Sequence, residues 1–384
     1  MRSAVVDRWA ADEPIDPAAV RLVRAPGRVN LIGEHTDYNL GHVLPAAIDR
    51  EIRIAFAPTV DRRVELVRLD TGERLGFDLD AARARDGTWL DYVAGTAWAL
   101  ADARVELRGF RGVIASNLPQ GAGLSSSAAM ELCTAWALGG DAIARLDPLT
   151  VARICQRAEN GYVGVQSGLM DQFASACGVP DRALLLDCRS LDWRSISLPP
   201  DLDLVVLHSG SPRRLDGSAY NQRRSECDTA VRILAELDPT VRSLRDATPE
   251  HLADAGGRLE PVVRRRAEHV VAENGRVLAA VAALERGDVD TLGEIFAASH
   301  RSLSELFEVS SPELDALVEI ALGVDGVVAA RMTGAGFGGC TVNLVRPDAV
   351  PALAAAIETD YAATTGLRPM VLRVRAAAGA GAID

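Results

Sequence analysis

Arg28, Glu34, His35 and Asp37 stand together in GRVNLIGEHTDYN, the stretch from Gly27 to Asn39. A guanidinium, two carboxylates and an imidazole offer a dense set of hydrogen-bond donors and acceptors to a polar ligand. A polar turn alone does not explain four such groups beside Gly33 and Gly41. A second cluster, LPQGAGLSSSAAMEL (Leu118 to Leu132), carries a different chemistry. Gly121 and Gly123 let the backbone approach a ligand closely, and free N–H groups and hydroxyls gather where a helix opens near Ser125. That is a phosphate cradle without lysine; a glycine turn followed by a serine helix cap is the other reading. A third cluster, RMTGAGFGGCTVNLV, places Gly334, Gly336 and Gly339 in GxGxxG spacing. A dinucleotide fingerprint needs a helix next and an acidic residue about 20 positions on. CTVNLV alternates like a strand instead, so the glycines form a loop between two strands, either against a ligand or another loop, or as a plain hairpin.

Two further carboxylates stay open in role. Asp171, in GVQSGLMDQFASACG, enters a small, apolar helical stretch as a catalyst, a cap or a core acceptor. Glu159 lies on the preceding helix, where a solvated face is the plain reading.

The elements that must position these residues follow from periodicity. REIRIAFAPT and RRVELVRLD alternate as strands joined near Asp61, and FRGVIAS is another. SSSAAMELCTAWALGG is a run of helix formers ending at a glycine pair, and LTVARICQRAENGYVG reads as the next helix. DLDLVVLHSG after Pro199 reads as a buried strand. Long amphipathic helices follow in PVVRRRAEHVVAENGRVLAAVAALERG and DTLGEIFAASHRSLSELF, then a third capped by Ser311 and Pro312. The arginine run Arg264–Arg266 reads as a solvated helix face. A boundary near residue 199 gives domains 1–198 and 199–384, both α+β without regular βαβα alternation.

Composition limits the partners. The chain has 384 residues, 48% of them hydrophobic, and a net charge of -12. Such an acidic balance argues against sequence-independent binding of nucleic acid or an anionic membrane. No apolar run approaches the roughly 20 residues of a membrane helix, and no secretory signal opens the chain, so a cytoplasmic protein is expected. The six cysteines lack CxxC spacing and read as reduced, mostly core thiols. The six histidines form no zinc pattern, so any metal would arrive with a ligand. All 41 basic residues are arginine, which removes the Walker A lysine, the protein-kinase lysine and Schiff-base chemistry together. Without a heptad or a long apolar edge, a monomer is expected.

Taken together, the motifs resemble one family. APGRVNLIGEHTDYN is similar to the sugar-binding signature of galactokinases, LPQGAGLSSSAAM to the ATP-binding motif of the wider GHMP kinases, and MTGAGFGGC to their third glycine motif. GLMDQFASACG, ALLLDCRSL, SAYNQRR and SHRSLSELFEVSSPELDALV extend the resemblance over most of the chain in order. It implies a two-domain α+β GHMP kinase fold. An N-terminal domain of the kind shared with a ribosomal protein would precede a ferredoxin-like C-terminal domain with extra helices, with ATP and sugar meeting between them.

By the same resemblance, phosphate passes from ATP to the anomeric hydroxyl of galactose. Arg28 and Asp171 would stand at the reacting centre, Glu34, His35 and Asp37 on the sugar hydroxyls, and Gly168 and Tyr220 would complete the sugar pocket. Gly121, Ala122, Gly123, Leu124, Ser125, Ser126 and Ser127 would surround the phosphates, with Mg²⁺ near Ser127 and Glu159. A monosaccharide presents several hydroxyls that each donate and accept, so a site telling epimers apart needs separately aimed polar groups. The first motif has that density. A kinase for N-acetylgalactosamine, arabinose or a uronic acid, and a non-catalytic sugar sensor, are the alternatives. HSGSPRRLDGSAY departs from the TNxxH wording of many galactokinases, which leaves sugar contacts from residues 208–220 open.

Overall fold

In Val23 and Ala25, and again in Ile52, Ile54 and Phe56, apolar residues recur at every second position. A strand with that period turns them all to one face, and here they enter the main core. A computed structural model describes residues 1–9, 14–119, 121–211 and 217–383, with no account of the Gly217 and Ser218 side chains. Its strands are, in chain order, β1 (Arg21–Asn30), β2 (His42–Val43), β3 (Pro45–Pro58), β4 (Arg63–Arg68), β5 (Arg74–Asp78) and β6 (Phe110–Ser116). There follow β7 (Arg182–Asp187), β8 (Trp193–Ser197), β9 (Asp203–His208), β10 (Val327–Thr333), β11 (Cys340–Val345), β12 (Met370–Val374) and β13 (Gly381–Ile383).

The first sheet has the order β13-β1-β3-β6-β4-β5. β3 and β4, consecutive in the sequence, are therefore not partners: β6 lies between them and pairs parallel with β4. The helices Ser126–Gly139 and Met170–Cys177 cover the core face of β1 and β3. On the opposite face, Ala55 and Val113 meet Val5 and Trp9 of the N-terminal helix. A small sheet, β2-β7-β8, completes this part.

The remaining four strands form an antiparallel sheet of order β10-β11-β9-β12, the ferredoxin-like arrangement. Val206 and Val342 face the main core, whereas Val205 and Leu207 face the helix Pro312–Leu322 and the C-terminal helices. Ser311 caps that helix by accepting from the N–H of Leu314, with Pro312 in its first turn. The last strand, β13, returns to pair with β1. All six cysteines are buried, and none is in a disulfide. Among the described residues no helix is long and apolar enough to cross a membrane.

Two expectations are corrected here. The arginine run is not a solvated face. Successive helical residues point about 100° apart, and Arg266 turns inward, where Glu226 and Glu308 receive its guanidinium at 2.8 and 2.6 Å. The helix through Arg157 also does not continue regularly. A wider π turn spans Ala158–Val163, in which the carbonyl of Glu159 accepts from both Gly164 and Val165.

Candidate active site

Arg28 is placed by a defect in a strand. The β1/β3 register shifts between Pro26 and Arg28, and Gly27 sits at the break. A Cβ on Gly27 would lie 2.5 Å from the carbonyl oxygen of Leu124, so only glycine lets the 121–125 loop come this close. Arg28 then donates from its backbone N–H to that carbonyl at 3.1 Å. Its side chain, almost fully buried, gives Nη1 to the carbonyl of Gly123 at 2.7 Å. Nε and Nη2 both reach Oδ1 of Asp171, at 2.7 and 2.6 Å. Asp171 lies in the first turn of the helix Met170–Cys177, whose N-cap is Leu169. Its carboxylate is therefore ion-paired and part-exposed to the cavity, rather than a cap or a core acceptor.

The GEHTDY turn folds over the end of β1. Glu34 is buried, with Oε1 accepting from the N–H of Gly334 at 3.1 Å and Oε2 held by Arg331. Beneath it lies a buried ionic cluster that the motifs did not disclose. Glu273 accepts from the N–H of Gly33 at 3.1 Å and from Ser299 and Arg276, each at 2.6 Å. Burial would raise the Glu273 carboxyl, but Arg276, His269 and Arg331 outweigh it and hold the group down at about 2. The available signals were Arg331, immediately before MTGAG, and the i, i+3 spacing of Glu273 and Arg276 within an amphipathic helix.

Asp37 is pushed up to about 6, first by burial and then by the nearby charge of Asp171. Its Oδ1 accepts from the N–H of Tyr38 at 2.9 Å. A Cβ on Gly168 would stand 1.9 Å from Asp37 Oδ2, which accounts for a glycine there. Tyr220, on the helix Gly217–Leu237, brings its ring to 5.7 Å from His35. Residues 212–216 of the 208–220 loop lie outside the described residues.

The cradle reading of the second cluster gains from Ser125. Its backbone is left-handed, with φ of 59°, and its side chain makes no cap bond to the helix Ser126–Gly139. The helix therefore opens with uncapped N–H groups, beside the buried carbonyls of Ala122 and Leu124. The third glycine loop packs on this one: a Cβ on Gly339 would meet the Ala122 carbonyl at 3.1 Å, and one on Gly334 the Gly123 carbonyl at 3.1 Å. The loop does join two strands, β10 and β11. Glu159 is buried, not solvated, because the π turn faces it inward to Ser167 and Gln172. Burial pushes its carboxyl upward against those hydrogen bonds.

One cavity of about 280 Å³ collects Arg28, Glu34, His35, Asp37, Ser127, Glu159, Gly168, Asp171, Tyr220 and Gly334. A second, of about 350 Å³, shares Tyr92 and Ser127 with it and is walled by Ile52, Trp89, Leu118, Met130 and Arg68. The motifs gave no hint of Trp89 or Arg68. Ser126 faces the second cavity, and Gly121, five positions earlier, is exposed.

Comparison with known proteins gives the family. The galactokinase galactose-binding signature matches residues 13–58, the GHMP kinases N terminal domain residues 91–179, and the GHMP kinases C terminal domain residues 280–363. A galactokinase of Roseiflexus sp. (strain RS-1) is 44% identical over 364 residues, covering 94% of this chain and 93% of that one. The crystal structure of Lactococcus lactis galactokinase complexed with galactose superimposes with a TM-score of 0.92 at 36% identity, over 99% of each chain. The mevalonate kinase of Methanococcus jannaschii, at 19% identity and a TM-score of 0.64 over 93% of this chain and 98% of that one, shares the fold. The chain belongs to the galactokinase family of GHMP kinases.

Proposed function

We propose that this protein transfers the γ-phosphoryl group of ATP to the anomeric hydroxyl of galactose, giving galactose 1-phosphate and ADP. The observation that carries the proposal is the single cavity in which the Arg28–Asp171 pair meets Glu34, His35 and Asp37 on one side and Ser127 on the other. In this reading Arg28 and Asp171 are catalytic, while Glu34, His35, Asp37, Gly168 and Tyr220 surround the sugar. Residues 121–127 take the phosphates, and the neighbouring cavity with Trp89 and Tyr92 takes the adenine. The division at residue 199 leaves β1–β8 in an N-terminal domain and β9–β12 in a C-terminal one, with β13 crossing back.

Phosphoryl transfer through a loose transition state depends mostly on positioning and charge stabilisation. Arg28 is already fixed by Gly123 and Asp171, so its guanidinium needs little reorganisation to meet the transferring group. Asp171 Oδ1 is occupied by Arg28, and Oδ2 is the oxygen left to accept the anomeric proton. Ser127 and Glu159 offer one hydroxyl and one carboxylate, a sparse set that suits Mg²⁺ when nucleotide oxygens and water complete its shell. When bound, that ion neutralises phosphate charge.

A coupled ADP-release assay with MgATP tests the function against galactose, glucose, N-acetylgalactosamine, arabinose, galacturonate and a no-sugar control. Turnover on galactose, with phosphate on the anomeric oxygen, is expected. Preference for another sugar would assign the pocket to that sugar, and sugar binding without turnover would make the protein a sensor.

A further inference from the structure

Resting on the sugar-site reading above, we propose that Tyr38 is a positioning residue that holds His35 in its Nε2–H tautomer and so fixes the ring orientation before sugar binds. His35 is 4% exposed, with a left-handed backbone at φ of 62°. Its Nε2 lies 3.2 Å from the carbonyl oxygen of Ala335. A carbonyl only accepts, so Nε2 carries a proton. Nδ1 lies 2.9 Å from the Tyr38 hydroxyl, and in the neutral ring that nitrogen accepts the phenolic proton. A half-turn of the imidazole would put carbons at both contacts, so the two bonds together select one orientation as well as one tautomer.

Tyr38 is itself held from both sides. Its N–H donates to Asp37, and the Arg224 guanidinium lies over its ring at 5.8 Å. Arg224 Nη1 donates to the Gln166 carbonyl at 2.7 Å, two residues before the glycine that makes room for Asp37. Phe307 packs on His35 at 4.6 Å and Tyr220 at 5.7 Å, so aromatic carbon walls the ring that Tyr38 and Ala335 hold at its nitrogens. Tyr38 thus bears on His35 through its hydroxyl and on the 164–168 turn through the Arg224 guanidinium over its ring, while His35 carries the link on to Ala335 in the third glycine loop. Preorganisation of this kind lowers the cost of ordering the site around its ligand.

Tyr38→Phe removes that hydroxyl and keeps the ring. Long-range ¹H–¹⁵N spectra of the imidazoles, recorded on uniformly labelled protein without sugar and assigned with His35→Asn, should show Nδ1 unprotonated and Nε2 protonated in the native protein. In Tyr38→Phe the His35 signals should shift toward a mixture of tautomers. The galactose KM should rise about 3- to 10-fold, the loss of one net hydrogen bond, with the KM for ATP and kcat within about twofold. Placed in His35→Asn, Tyr38→Phe should raise KM no further. A native Nδ1–H or doubly protonated His35, or an unchanged galactose KM in Tyr38→Phe, overturns the proposal. Failure of the native protein to turn over galactose would overturn the sugar reading instead, while the sugar-free spectra still decide the tautomer.

Discussion

Asp171 and Asp37 are both carboxylates of the same cavity, and their surroundings differ. Asp171 is paired with Arg28, which orients it, whereas Asp37 is part-buried and held by backbone donors. Asp171→Asn keeps the shape but cannot take a proton. It should lower kcat by about a hundredfold or more while galactose binding survives in part, as steady-state kinetics and calorimetry would show. In the proposed sugar site Asp37 acts as an ionised carboxylate that accepts from hydroxyls. Because its free-enzyme value is raised to about 6, kcat/KM for galactose should fall as pH drops below that value. Asp37→Asn should remove that limb and flatten the preference for galactose over its epimers. The sign for stability is the reverse: a raised carboxyl favours the protonated fold, so this contribution is full below its ordinary 3.8 and lost as pH rises through about 6.

Irregularities of the elements, more than their regular parts, aim these groups. The register break at Gly27 brings β1 against the 121–125 loop. The π turn over Ala158–Val163 turns Glu159 inward, and such turns are frequent at functional sites. The turn before the helix Met170–Cys177 must pass so close to Asp37 that no side chain fits. Gly168→Ala would set a methyl 1.9 Å from Asp37 Oδ2 and displace one or the other. The galactose KM should rise by about tenfold or more, with the KM for ATP much less affected. If both constants stay native, the pocket does not depend on that approach.

Across the whole molecule, the sugar motif is anchored by elements far along the chain. Arg331 on β10, with Glu273 and Arg276 on the helix Pro261–Arg286, forms the ionic floor under Gly33 and Glu34. A buried ion that loses its partner is costly, and Glu273→Gln leaves Arg331 and Arg276 undercompensated. The variant should be less stable by about 3 kcal/mol in urea unfolding. Glu273 is held at about 2, so its stabilisation is present above the ordinary 4.5 and fades as pH falls toward about 2. The native protein should lose stability in that acid range, and Glu273→Gln should lose less there.

The chain itself determined what is local. Glycine spacing, alternating apolar residues and the Ser311–Pro312 cap fixed the strands, the loops and that helix start, because each depends on neighbours within a turn or a pleat. The motif wording likewise identified the family and picked out residues that meet in one cavity. Tertiary structure decided the rest. Arg28 and Asp171 are 143 positions apart, and Glu34 and Arg331 are 297 apart, so no period or cap links them. β6 comes between β3 and β4 because packing, rather than adjacency in the chain, settles strand order. Arg266 and Glu159 had the polarity of solvated residues, but their partners lie on other elements. A buried charge is set by what surrounds it in space, and that is known only once the elements have packed.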